Sequence, residues 1–164
     1  MCSMPLGFPI NLWAEVVDHV SRALPCEACG FLSGRSGLIT GVHPVENALH
    51  SPTAYRMEPA NQVRTMTAIE RQGREIVAIF HSHPDGPTHP SPTDLTQATY
   101  PDVLYVICSP AGPDRAWSAR AFWLRDGQAL EEPIDWLTAE AAIAVRILTD
   151  LSDHPAALTD HNQA

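Results

Sequence analysis

The chain has 164 residues, 45% hydrophobic and 18% charged, enough for one domain with its own core and too few for two. That composition excludes wholesale disorder. Nineteen acidic against ten basic residues leave a formal charge of −9, which repels phosphate backbones, so no nucleic-acid partner is expected.

The opening MCSMPLGFPINLW has neither the basic n-region nor the long apolar h-region of a signal peptide. No stretch approaches the roughly 18 apolar residues of a membrane span. A cytoplasmic protein with no membrane partner is expected. Cys2, Cys26, Cys29 and Cys108 are irregularly spaced, which is no disulfide framework, so reduced thiols are expected.

Over residues 9–24, Ile10, Trp13, Val16, Val17, Val20 and Leu24 recur at helical spacing, and Pro25 stops the helix. ACGFLSG (28–34), a turn around Arg35-Ser36-Gly37, and LITGVHPV (38–45) read as a hairpin. A second helix spans 59–73, with Val63, Met66 and Ile69 on one side and Gly73 as its stop. EIVAIF (75–80) and DVLYVICS (102–109) are nearly continuous apolar runs, the pattern of strands buried on both faces. WSARAFWL (117–124) is a further strand, ending at the turn Arg125-Asp126-Gly127. Ile134 to Leu151 reads as a C-terminal helix with Leu137, Ala141, Ala144, Val145 and Leu148 as its apolar set. That helix packs either on its own domain or on a second copy in a homodimer. The reading is a single α+β domain over 1–151, a mixed sheet flanked by helices, followed by a flexible tail over 152–164.

Between the two buried runs lies HSHPDGPTHPSPTD (81–94). If the strand continues, His81 and His83 are two apart and project from one face. Pro84 cannot continue the ladder and ends the strand. Ser91 suits an N-cap, Pro92 the first helical position and Asp94 the third, so a short helix runs from Ser91 to about Tyr100. A loop this short can fold the Asp94 carboxylate back over both imidazoles. Two nitrogens, one oxygen and an open fourth position make the donor set of a catalytic zinc site. His89 reads as a solvated loop residue, because nothing in the sequence fixes its direction. His19, His43, His50, His154 and His161 read as surface or loop residues.

Cys26-x-x-Cys29 invites a metal or redox reading, and Pro25-Cys26-x-x-Cys29 echoes half of the zinc-deaminase signature. The His-x-Glu half is absent, since Val20 and Ser21 follow His19, and no second cysteine pair completes a Cys₄ site. Cys29 and Cys108 are therefore read as core packing.

His81-Ser82-His83-Pro84, Ser91 and Asp94 resemble the HxHP…SxxD signature of the JAMM (MPN+) metallopeptidases. Glu27-Ala28-Cys29-Gly30-Phe31-Leu32-Ser33-Gly34 resembles that family's E-x-C-G-x-L-x-G strand. Tyr55-Arg56-Met57-Glu58-Pro59 is similar to the short bacterial and archaeal branch, and the likeness covers roughly residues 10 to 134. The resemblance implies a single MPN/JAMM domain with a cytidine-deaminase-like three-layer arrangement. It implies one Zn2+ per chain, held by His81, His83 and Asp94. Glu27 would be the catalytic acid/base and Ser91 a donor to the oxyanion. The implied substrate is a ubiquitin-like or sulfur-carrier protein (MoaD/ThiS-like), cut after its C-terminal Gly-Gly where it joins a lysine amine or a cysteine. Two other functions fit weaker parts of the pattern. One is a non-catalytic MPN scaffold, against which stand the three ligands and Glu27. The other is a RadC-like protein of DNA metabolism, against which stand the acidic charge and the lack of an N-terminal helical domain.

Overall fold

The computed structural model describes residues 5–153. Its elements run β1 (Leu6–Pro9), α1 (Ile10–Ala23), β2 (Cys29–Arg35), β3 (Leu38–Val45), α2 (Pro59–Arg71), β4 (Glu75–Ser82), α3 (Pro92–Gln97), β5 (Leu104–Ala111), β6 (Ala116–Arg125), β7 (Gln128–Glu132), β8 (Ile134–Leu137) and α4 (Ala139–Asp153). One eight-stranded mixed sheet has the order β7-β6-β5-β4-β2-β3-β1-β8. The 154–164 part of the expected tail, with His154 and His161, lies outside the described residues. Among the described residues no helix is long and apolar enough to cross a membrane.

Strand alternation divides the core in two. Leu32 of β2, Ala78 and Phe80 of β4, and Val106 and Cys108 of β5 pack with Val16 and Val20 of α1. Their neighbours Cys29 and Phe31, Ile79, and Tyr105 and Ile107 point the other way, onto Ile69 of α2 with Leu95 of α3 beside them. Helices therefore cover both faces of the sheet, the α+β layering expected. Gly30 lets β2 sit close to its neighbours. A Cβ there would meet the His43 carbonyl oxygen and lie 2.6 Å from the Phe80 ring.

Local chemistry explains most boundaries. The β2–β3 turn places Ser36 and Gly37 at positive φ, as does Asp126-Gly127 between β6 and β7, the two-residue geometry that matches strand twist. At α2, Glu58 caps the helix by accepting from the backbone N–H of Ala60 and Asn61, at 3.1 and 2.6 Å, with Pro59 in the first turn. β4 runs two residues past the apolar run, through His81 to Ser82.

The C-terminal segment differs from the expectation of one helix from Ile134. Ile134–Leu137 is the edge strand β8, parallel to β1, with Ile134 opposite Leu6 and Leu137 opposite Pro9. Only from Ala139 is the chain helical. Part of the expected apolar set faces away from the domain: Val145 and Leu148 are 37% and 65% exposed, whereas Leu137 is half-buried in β8. Ala, Val, Ile and Leu together occur all round this helix, so periodicity could not select the inward side. α3 is also shorter than expected, ending at Gln97. β1 and β7 have no sequence signal: β1 is four residues long, and β7 is exposed except at Glu132.

Candidate metal centre

β4 and β5 run parallel, and the connection between them carries α3. This connection leaves the carboxyl end of β4, where His81 and His83 sit. Same-face parity brings both imidazoles together: the Nε2 atoms are 3.0 Å apart. His81 is wholly buried and His83 is 4% exposed.

Asp94 meets them from α3. Its Oδ1 is 3.2 Å from His81 Nε2 and its Oδ2 is 3.3 Å from His83 Nε2. The helix cap holds the carboxylate in place. Ser91 Oγ accepts from the Asp94 N–H at 3.1 Å, and the Ser91 N–H and hydroxyl both donate to Asp94 Oδ2 at 2.6 Å. One capping box thus starts a helix and aims the Asp94 carboxylate at the two imidazoles. One ligand atom each from His81, His83 and Asp94 lies within 4.8 Å of the others. His89 is exposed and stands outside this cluster.

The two rings are oriented differently. His83 Nδ1 lies 2.8 Å from the Pro87 carbonyl oxygen. A carbonyl only accepts, so Nδ1 carries a proton, and in the neutral ring Nε2 is the free nitrogen facing the cluster. His81 Nδ1 is buried with no hydrogen-bond partner. Instead the His81 ring is stacked on Tyr55, with centroids 4.3 Å apart. Burial also pushes the Tyr55 phenol well above its ordinary pKa.

Glu27 reaches the site from β2's leading end. Cys29 is opposite His81. Ser82 N–H donates to the Ala28 carbonyl and Ala28 N–H to Ser82 Oγ, at 2.9 and 2.8 Å. That antiparallel register puts Glu27 across from His83. Glu27 is 6% exposed. Burial pushes its carboxyl up to about 7, with His83 opposing the rise and Asp94 adding to it.

Burial alone would also raise Asp94, but hydrogen bonds from His81, His83 and Ser91 and the charge of His81 hold it well below the carboxylate range. Burial pulls His81 below its ordinary value despite Asp94. For His83 burial acts the same way, but the bonds to Asp94 and Pro87 outweigh it and raise the pKa. The two carboxylates are thus driven apart, one ionised among the nitrogens and one ready to exchange a proton near neutral pH. That separation is how acid and base roles are assigned in one site.

Several contributors carry no sequence signal. Asn47 is 9% exposed, and its amide makes four bonds. Nδ2 donates to the carbonyls of Glu27 and Ala54, and Oδ1 accepts from the N–H groups of Leu49 and Arg56, at 3.0–3.1 Å. It ties the 46–58 segment to Glu27. Pro87 acts through its carbonyl, which no residue type announces. Tyr55 was within reach of the sequence, since Tyr55-Arg56-Met57 belongs to the motif already singled out.

Cys29 and Cys108 are buried packing residues, as expected. Cys29 donates Sγ–H to the Val45 carbonyl at 3.4 Å, and burial pushes its thiol up to about 12. Cys26 lies apart from it, with Sγ 3.2 Å from the His50 carbonyl oxygen. His19 and His43 are not simple surface residues. They are half-buried, with Nε2 of His19 3.3 Å from the Cys29 carbonyl oxygen and Nε2 of His43 2.7 Å from Ser33 Oγ.

A cleft of about 160 Å³ opens beside Asp94, lined by Tyr55, Gln62, Tyr100 and Tyr105 among others. It suits a side chain or an extended tail, not a large ligand.

Residues 9–120 match the family of prokaryotic homologs of the JAB domain. A desampylase from Haloferax volcanii is 42% identical over 119 residues, covering 68% of this chain and 86% of that protein. A CysO-cysteine peptidase from Mycobacterium tuberculosis is 38% identical over 127 residues, covering 76% and 86%. Among solved structures, the solution structure of a Desulfitobacterium hafniense protein is similar with a TM-score of 0.73 and 30% identity, covering 80% of this chain and 92% of that one. The chain belongs to the prokaryotic JAB-domain family, the JAMM/MPN-type peptidases that its HxHP…SxxD motif resembles.

Proposed function

We propose that the chain is a zinc-dependent peptidase that cleaves the bond after the C-terminal Gly-Gly of a ubiquitin-like or sulfur-carrier protein, where it joins a lysine amine or a cysteine. The observation that carries this reading is the convergence of His81, His83 and Asp94 within 4.8 Å, with Glu27 buried across from His83. The names of the relatives, a desampylase and a CysO-cysteine peptidase, support the substrate class. The narrow cleft supports an extended tail.

The donor set fits a divalent cation. Two imidazoles and a carboxylate are zinc ligands, and the Pro87 contact selects the neutral His83 tautomer whose Nε2 is free to take an ion. His81 Nε2, His83 Nε2 and an Asp94 oxygen would hold the ion. Bound there, it supplies Lewis acidity and lowers the pKa of water toward about 7.

The remaining work falls to side chains. Glu27, with its carboxyl pushed up to about 7, takes the proton of the attacking water and returns it to the leaving amine. Ser91 caps α3 and donates its hydroxyl to the developing oxyanion. In the resting structure that single proton points to Asp94 Oδ2, so the hydroxyl turns from one acceptor to the other during turnover.

The test is hydrolysis of a ubiquitin-like sulfur carrier fused through Gly-Gly to a reporter. Zinc-loaded wild type should cut after the second glycine, and chelator treatment or Glu27→Gln should stop it. No cut by zinc-loaded wild type overturns the substrate assignment. An unchanged rate in Glu27→Gln moves the base elsewhere.

A further inference from the structure

Two strands remote from the ligands in sequence reach the His83 loop. Arg120 of β6 and Glu131 of β7 form a two-pronged pair: Nε to Oε1 at 2.8 Å and Nη2 to Oε2 at 2.6 Å. Two parallel bonds fix the plane of the guanidinium, which a single bond would not. The free prong, Nη1, points at Thr88. It donates to Thr88 Oγ1 at 3.1 Å, and the Thr88 carbonyl oxygen lies 3.4 Å away. The Phe122 ring lies under the guanidinium, 5.1 Å from its centre, and adds a cation–π contact.

Thr88 is the residue after Pro87. The Pro87 carbonyl that accepts from His83 Nδ1 lies in the peptide plane that also contains the Thr88 nitrogen, and that plane is rigid. Holding Thr88 therefore limits how far the Pro87 oxygen can swing. Arg115 secures the other end of the loop through the Pro84 carbonyl and Asp85, at 3.4 and 3.1 Å. Gly86 lets the turn close between these anchors, since a Cβ there would lie 2.9 Å from His83 Cβ.

We propose that Arg120, held by Glu131, is a positioning residue for the candidate metal centre. It fixes the 84–90 loop so that the Pro87 carbonyl keeps His83 protonated at Nδ1, with Nε2 turned toward Asp94 and His81. A simple surface ion pair would contribute little and would leave His83 unaffected. The effect on metal affinity rests on reading His81, His83 and Asp94 as ligands. The effect on His83 does not, because the Nδ1 contact exists in the metal-free chain.

The experiment uses the full chain with Arg120→Met and Glu131→Ala. Chelator-treated protein is observed by ¹H–¹⁵N NMR of the His83 ring. The same proteins are titrated with zinc against a competing chelator. In wild type the Nδ1–H signal should be resolved and protected. In Arg120→Met it should broaden or vanish, and zinc affinity should fall roughly tenfold, the lower end for groups that orient a ligand histidine. Glu131→Ala frees the guanidinium without touching Thr88 and should move both readouts the same way by less. Glu131 is exposed, so that variant keeps the test open if Arg120→Met does not fold. An unchanged His83 signal in folded variants overturns the proposal, whether or not zinc binds. A wild type that binds no zinc while the variants change the His83 signal leaves the positioning role standing and overturns the metal reading instead.

Discussion

The Tyr55 ring stacks on the His81 imidazole, with centroids 4.3 Å apart and planes 25° apart. His81 Nδ1 has no hydrogen-bond partner, so this contact and close burial replace the second hydrogen bond that ordinarily orients a ligand histidine. Tyr55→Ala should lower zinc affinity roughly tenfold, while Tyr55→Phe, which keeps the stacked face, should stay within about twofold. Competition titration measures both. Equal losses in the two variants would assign the effect to the hydroxyl and overturn the stacking argument.

Glu27 makes the stability of the metal-free chain depend on pH. Its carboxyl is raised by burial from 4.5 to about 7. Below pH 4.5 folded and unfolded chains both hold the proton. Between 4.5 and 7 the unfolded chain releases it first, so the folded chain binds more protons and stability falls as pH rises. The loss approaches about 3 kcal/mol by neutral pH. Glu27→Gln removes this dependence. Urea unfolding of both proteins from pH 4.5 to 8 should therefore show the variant gaining on wild type as pH increases. Subtracting the two curves removes contributions common to both and leaves Glu27 with its coupling to His83 and Asp94. A flat difference would mean that Glu27 titrates normally.

Asn47 has every donor and acceptor of its amide in use, two of each. Asn47→Ala takes the side-chain partner from four backbone groups in a partly exposed segment and should cost about 1–3 kcal/mol. Asn47→Asp keeps the two acceptors, loses both donors and adds a negative charge near Glu27. It should push the Glu27 carboxyl still higher and shift the acid limb of the pH–rate profile upward. An Asn47→Ala variant within about 0.5 kcal/mol of wild type would show that water replaces these contacts without cost.

What was legible in the sequence follows from the range of the interactions. His81 and His83 share a face because strand periodicity is local, and Ser91, Pro92 and Asp94 announce a helix start because capping is local. The JAMM-like motif extended that local pattern to Glu27. On spacing alone Glu27, two residues after Pro25, looks like a solvated loop residue. Its 6% exposure comes from β4 and the 46–58 segment closing around it, contacts made across dozens of positions. Arg120 is the same case: it meets Thr88 across 32 positions, a contact that only the sheet order brings about. The break between β8 and α4 escaped for another reason. Ile134-Asp135-Trp136-Leu137 carries apolar residues compatible with either period, and pairing with β1 decides the outcome.

Ser91 separates a structural from a chemical role in one side chain. Its Oγ accepts from the Asp94 N–H and its proton goes to Asp94 Oδ2. Ser91→Ala removes both bonds and should cost about 1 kcal/mol in stability, the usual loss for an N-cap. The Ser91 N–H still reaches Asp94 Oδ2, so the Asp94 carboxylate keeps one anchor and zinc content should remain full. If the hydroxyl also stabilises the oxyanion, kcat should fall by about 10²–10³ with KM little changed, because that contact exists only in the transition state. Ser91→Thr retains the hydroxyl and the cap and should recover most of the rate. The decisive comparison is kcat against zinc content. A loss of kcat that tracks lost metal would make Ser91 a support for Asp94 alone, whereas a loss at full occupancy would place its hydroxyl on the reacting carbonyl.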